Sequence, residues 1–242
     1  MENRESIKEI IVVTDGESNM GGDPVLAAKR ARYQGITVNT VGIIDQNHQG
    51  EKPLEEIVSI ANAGAGAYEY SYIEALPQTL QSLSHRTVTS TLQDVVNRQL
   101  QEILKADLSQ LSPQARSKIL NYIDTYSDEI EVYCCILLDC SGSMAPKIQA
   151  ARHSILDLVE SFKGRKGAVH LAVIGYPGEG TTAHVVLQDF GENPNQLERS
   201  LYRLKPGGGT PTAPAIDRAV DLMKDYLFQK EQEEPVVLVE GY

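Results

Sequence analysis

The sequence predicts a doubly wound α/β fold: a mostly parallel sheet of about six strands with helices on both faces. Three observations carry this. Short, continuous β-branched runs alternate with helical patterns, as expected of strands buried on both faces and joined by crossover helices. The two strongest runs, Ile7–Val13 and Ile130–Leu138, each lead into a loop rich in carboxylates and hydroxyls. The chain of 242 residues is 41% hydrophobic, which is enough to bury one substantial core.

The elements follow in order. Ile7–Val13 is a strand ending in Thr14-Asp15-Gly16. Asp23-Pro24 reads as an N-cap and first helical residue, opening a helix to about Gln34 that Gly35 closes. Ile36–Ile44 is a second strand, Pro53–Ala63 a short helix, Gly64-Ala65-Gly66 a turn and Ala67–Tyr72 a third strand. A helix starts near Ile73, and from Pro77 to Ala106 the pattern stays helical, with Val88, Leu92, Val95, Val96, Leu100, Ile103 and Leu104 on one face. Ser112-Pro113 restarts a helix carrying Ile119, Leu120 and Ile123. Residues 86–128 therefore read as a helical connector. It either packs on the domain or serves as a partner-binding arm; the first reading is preferred because amphipathic helices usually face their own core.

The last segment returns to α/β. Ile130–Leu138 is a strand, Pro146–Phe162 a helix and Ala168–Tyr176 a strand. A Pro/Gly turn, Tyr176–Thr181, is short enough for a hairpin into Ala183–Phe190, expected as an antiparallel edge strand. Asn195–Leu204 is a helix, the loop from Pro206 to Thr212 follows, and a further helix runs from Ala213 to about Phe228. Pro235–Val239 is a final strand-like piece.

Charge narrows the function. With 22 basic and 33 acidic residues the net charge is −11, which argues against a nucleic-acid surface or an anionic membrane as partner. The charged start MENRESIKEI has no apolar stretch behind it, and no apolar run is long enough to span a bilayer, so a cytoplasmic protein is expected. Cys134, Cys135 and Cys140 are an odd number in one short stretch and read as buried strand residues, with Cys134 and Cys135 on opposite faces.

The chemistry lies in three loops. Asp139, Ser141 and Ser143 place a carboxylate and two hydroxyls at alternate positions, which a tight turn can aim at one point. Oxygen-only ligands suit a hard cation such as Mg²⁺. Alone, the pattern equally fits a serine-rich helix start. Gly207-Gly208-Gly209-Thr210 adds a hydroxyl on a loop that permits close backbone approach, and Asp15 adds a second carboxylate beyond a buried strand. In open α/β sheets, ligands bind beyond the carboxyl ends of the strands.

These residues resemble a known family. Asp139-Cys140-Ser141-Gly142-Ser143 is similar to the DxSxS motif of von Willebrand factor A domains, Gly208-Gly209-Thr210 to their threonine loop, and Thr14-Asp15-Gly16 to their last ligand loop. The resemblance implies a metal-ion-dependent adhesion site holding Mg²⁺ or Mn²⁺. Ser141, Ser143 and Thr210 would be direct ligands, Asp139 and Asp15 would bind directly or through water, and the open coordination position would take an Asp or Glu of a protein partner. The order differs from that of the ordinary family, because Asp15 precedes Asp139 by 124 residues. Residues 1–85 resemble the C-terminal half of such a domain and residues 129–242 the N-terminal half, a circular permutation around the connector. The resemblance is to a YabS-like group in spore-forming bacilli, which implies no known activity. Pro235–Val239 stands where the unpermuted domain carries its TDG strand, but it ends Glu240-Gly241-Tyr242 without an aspartate. It reads as a vestigial strand, an added edge strand or a tail. Competition with Ile7–Val13 for one sheet position would allow two chains to exchange halves, so a monomer or a half-exchanged dimer is expected.

Other chemistries fit less well. The glycine loop lacks a Gly-Lys-Ser/Thr ending and follows a helix, unlike a phosphate-binding loop. No G-x-S-x-G elbow is present, and no histidine flanks the three loops. His170 and His184 fall in strands expected to pair, which would make them a hydrogen-bonded surface pair. Glu17, Glu179 and Asp189 are further candidates for the same end of the sheet. Two classes remain: a metal-dependent protein-binding module, and a metal-dependent hydrolase using a metal-bound water. The hydrolase needs a base that the loops do not supply, so a non-enzymatic binding role is expected.

Overall fold

A computed structural model describes residues 6–44 and 55–233. Pro53, at the expected start of the second helix, and the segment Pro235–Val239 lie outside the described residues. Six strands form one sheet: β1 (Ser6–Thr14), β2 (Thr37–Ile44), β3 (Ala65–Tyr72), β4 (Glu131–Asp139), β5 (Val169–Tyr176) and β6 (Val185–Gln188). Their spatial order is β3-β2-β1-β4-β5-β6, and every neighbouring pair is parallel except β5–β6. The fold is the expected doubly wound sheet, with β1 beside β4 at its centre. From β1 the chain winds outward through β2 and β3; from β4 it winds the other way through β5 and β6. The strand order reverses between β1 and β4, which is where such sheets open a crevice at their carboxyl ends.

Helices cover both faces: α1 (Pro24–Tyr33), α2 (Glu55–Ala63), α3 (Leu76–Leu104), α4 (Pro113–Ser127), α5 (Ile148–Phe162), α6 (Leu197–Arg203) and α7 (Thr212–Glu233). The period of two along β1 divides the core. Ile7, Ile11 and Val13 pack with Leu76, Leu80 and Leu83 of α3 and Ile148 and Ile155 of α5. Ile10 and Val12 face the opposite layer, with Ala27, Ala28 and Ala31 of α1 and Ile216, Ala219 and Met223 of α7. Asp23 caps α1, accepting from the Val25 and Leu26 amides at 2.8 and 3.2 Å, and Pro24 follows it. Cys134 and Cys135 are free, buried and divided between the two layers. Burial raises both thiols above their ordinary range.

Helix α3 begins at Leu76 and passes residue 86 unbroken. Val88 and Leu92 continue its buried stripe, and Leu108 and Ile123 join the same core. The stripe leaves the core toward the C-terminal end of α3, where Ile103 and Leu104 are exposed.

Two expectations are corrected. Gly64-Ala65-Gly66 is not a free-standing turn, since β3 already begins at Ala65. A Cβ on Gly64 would lie 2.5 Å from the Val38 Cβ, and one on Gly66 would lie 2.1 Å from the Val38 carbonyl oxygen. These glycines let β3 lie against β2 at an irregularity between Val38 and Thr40, where the Asn39 side chain accepts from the Ala67 amide at 3.0 Å. His170 and His184 do not pair. The register sets Gly175 opposite Val185, so His184 lies beyond one end of the paired stretch and His170 at the other end of β5. There, His170 instead bonds Glu131 at 2.7 Å and the Tyr226 hydroxyl at 3.0 Å.

One charged group lies in mid-sheet. Glu9 of β1 is fully buried and accepts from Asn39 of β2 and Ser84 of α3. Burial pushes its carboxyl up to about 7.

Candidate metal centre

The site forms at the carboxyl edge because β1 and β4 are parallel neighbours in register. Val13 lies opposite Leu138, so Thr14 and Asp139 emerge side by side. The Thr14 hydroxyl donates to Asp139 Oδ2 at 2.6 Å, and the Ser141 amide donates to Asp139 Oδ1 at 2.7 Å. Asp139 is fully buried. Burial raises its carboxyl above the ordinary range, opposed by these hydrogen bonds and reinforced by the nearby Asp15 charge.

Beyond Asp139 a short 3₁₀ turn, Gly142–Met144, carries the chain into α5. The turn brings the Ser141 and Ser143 hydroxyls to 3.1 Å of each other, and Ser143 donates to Asp15 Oδ1 at 2.7 Å. Residues 15 and 143, 128 apart in sequence, thus share a hydrogen bond.

The glycine-rich loop between α6 and α7 closes the third side. The Gly207 amide donates to the Cys140 carbonyl at 2.8 Å, and the Gly142 amide donates to the Gly208 carbonyl at 3.3 Å. Asn19, in the loop after β1, holds Thr210: its side-chain oxygen accepts from the Thr210 amide at 2.9 Å, and its own amide donates to the Thr210 carbonyl at 3.3 Å. The Ser18 hydroxyl donates to the same carbonyl at 3.1 Å. A Cβ on Gly209 would lie 2.6 Å from the Asn19 oxygen, so this clasp needs a glycine there. The three loops carrying Asp15, Asp139, Ser141, Ser143 and Thr210 are joined at one end of the sheet.

The oxygen separations fit a small hard cation. A ligand shell at about 2.1 Å in octahedral geometry has adjacent oxygens about 3.0 Å apart. The Ser141–Ser143 and Ser143–Asp15 separations, 3.1 and 2.7 Å, are edges of that size. Two carboxylates converge among these hydroxyls, with Asp139, Ser141 and Thr210 buried and Ser143 exposed, a charge arrangement that a cation offsets. Among the described residues no three His, Cys, Asp or Glu side chains group so as to hold a metal ion, so an ion here would draw on the hydroxyls as well.

Sequence reasoning missed several neighbours. Lys147 places its ammonium 2.7 Å from Asp15 Oδ2. Glu56 of α2 accepts from the Ser18 amide at 2.6 Å and so braces the loop after β1; burial raises its carboxyl, with Glu17 and Asp23 adding to the effect. Asn19 had no visible signal, whereas Lys147 had one: a cation at a helix N-terminus opposes the helix dipole. Asp189 is not at this end. It follows β6, which runs antiparallel and away from the site, and it caps its own turn by accepting from the Phe190 amide at 2.7 Å. Glu179 lies in the β5–β6 turn and is exposed.

Comparison with known proteins bears on the family and the fold. Family models described as the von Willebrand factor type A domain match residues 1–86 and, separately, residues 134–241. The uncharacterized protein YabS of Bacillus subtilis (strain 168) is 35% identical over 219 residues, covering 90% of this chain and 89% of that protein. A crystal structure of an uncharacterized protein from Alicyclobacillus acidocaldarius superposes with a TM-score of 0.85 at 37% identity, covering 93% of this chain and 97% of that one. The half that carries the threonine-aspartate-glycine loop comes first and the half with DxSxS second, while β1 and β4 pair as neighbours. The chain therefore belongs to the von Willebrand factor type A family, with the two halves of the domain in permuted order.

Proposed function

We propose that this protein is a metal-dependent protein-binding module. Ser141, Ser143 and Thr210 hold a divalent ion, Mg²⁺ or Mn²⁺, with Asp139 and Asp15 supplying charge directly or through water. When bound, the ion supplies a positive, partly open coordination sphere to an Asp or Glu of a partner protein. The observation that carries this reading is the joining of three separate loops: Thr14–Asp139 and Ser143–Asp15, at 2.6 and 2.7 Å, tie the first two, and the Thr210 amide to Asn19, at 2.9 Å, ties in the third. A binding role is favoured over a hydrolytic one because, among the described residues, no histidine hydrogen-bonds to any of the five, and both carboxylates already have partners. The three free, buried thiols support a reducing compartment such as the cytoplasm.

Thermal melting in Mg²⁺, Mn²⁺ and chelator, with wild type and Asp139→Ala, tests the site. A ligand present at a hundred times its Kd stabilises by about 2.7 kcal/mol, so wild type should melt several degrees higher with metal and the variant should not. An unchanged wild-type melting temperature in both metals would remove the basis for the proposal. Affinity for acidic peptides, measured in Mg²⁺ and in chelator, tests the partner chemistry; equal binding in the two buffers would place recognition elsewhere.

A further inference from the structure

Lys147 stands at the N-cap position of α5 and makes no side-chain capping bond. A cation there opposes the helix dipole, so local helix energetics do not account for it. Its long side chain is nevertheless held down to 18% exposure, against an Asp15 side chain that is 0% exposed. The ammonium donates to Asp15 Oδ2 at 2.7 Å while Ser143 donates to Oδ1 at 2.7 Å. Asp15 is thus shared between a hydroxyl of the DxSxS loop and a cation tethered to the next helix.

We propose that Lys147 is a resident counter-cation of this site and exchanges with the metal. The inference rests on the metal reading above and adds a control to it. A divalent ion drawing on Asp15 would stand beside a like-charged ammonium, and the two cations repel each other. Loading therefore displaces Lys147 from Asp15, and unloading returns it. The tethered ammonium neutralises Asp15 whenever no ion does, which keeps its carboxylate tolerable beside the buried Asp139. It also weakens metal affinity, so that the site responds to metal concentration.

The test compares Mn²⁺ affinity by calorimetry, or by paramagnetic resonance of free Mn²⁺, in wild type, Lys147→Met and Lys147→Gln. Both variants remove the charge and shorten the side chain by only one heavy atom, one with an apolar end and one with a polar end. Each should bind Mn²⁺ roughly tenfold more tightly than wild type, a change of about 1.4 kcal/mol. In chelator, both should melt below wild type, and this loss should vanish in an Asp15→Asn background. Tighter binding in the variants, including binding where wild type shows none, supports the exchange. Equal or weaker Mn²⁺ binding in the variants, with wild type binding, overturns the exchange and leaves the metal site standing. Absence of Mn²⁺ binding in all three proteins overturns the metal reading and the exchange together. Melting losses that simply add in the Asp15→Asn background overturn the pairing itself.

Discussion

Asp139→Asn separates the charge of the site from its hydrogen bonds. Asp139 is fully buried and accepts from Thr14 and from the Ser141 amide. An asparagine can keep the Ser141 bond through its oxygen. Its amide then meets the Thr14 hydroxyl, which turns to accept and donates instead to the Gly16 carbonyl, already 2.9 Å away. The substitution therefore removes a buried charge and leaves no polar atom orphaned. Burial holds the folded-state carboxyl above its ordinary value of 3.8. The stability that this raised pKa contributes is fully present below 3.8 and is lost as pH rises through the folded-state value. The asparagine variant has no such loss. At neutral pH in chelator it should be more stable than wild type by about 1–2 kcal/mol, the scale expected when an imperfectly compensated buried charge is removed. At about 2–4 °C per kcal/mol for a chain of this size, melting should rise by about 2–8 °C. The advantage should shrink as pH falls toward 3.8, and addition of Mg²⁺ should no longer stabilise the variant. The assay is thermal melting followed by circular dichroism across pH, in chelator and in Mg²⁺. A variant less stable than wild type at neutral pH in chelator, or an advantage that grows on acidification, would refute the reasoning.

Glu9→Gln should remove a second pH dependence. The Glu9 carboxyl is raised to about 7, so its stabilising contribution is complete below 4.5 and lost as pH passes through about 7. Wild-type stability should decline across that interval more steeply than that of the variant, as denaturant midpoints at pH 5 and pH 8 would reveal; parallel profiles would show that Glu9 is not the group responsible. Gly66→Ala drives a Cβ to 2.1 Å from the Val38 carbonyl oxygen, with backbone on the other side of the contact, and should cost about 2 kcal/mol or more. Urea unfolding measures it, and a loss under 0.5 kcal/mol would mean that β3 shifts away from β2 without penalty.

Much of the fold was legible in the sequence because its signals are local. The continuous β-branched run Ile7–Val13 specifies a strand buried on both faces, and Asp23-Pro24 opens a helix through bonds to its own next residues. The turn reading at Gly64-Ala65-Gly66 failed for the converse reason. Glycine reports only that no side chain fits, and the neighbour that excludes one, Val38, is 26 residues away in sequence. The pairing of His170 with Glu131, Tyr226 and Lys230 was invisible likewise, since it depends on the register of β5 against β4 and on where α7 lies.

The candidate site divides along the same line. The residue types and their spacing, with carboxylate and hydroxyls alternating from Asp139 to Ser143, are properties of the chain, and so is the permuted order of the motifs. Their convergence depends on β1 and β4 lying side by side, which sets Thr14 against Asp139 across 125 residues. Lys147 shows the limit most clearly. Its sequence neighbourhood states only that a lysine sits at the wrong end of a helix. The ion pair with Asp15 arises when the central strands come together, because an ion pair is a relation between positions in space that no single segment contains.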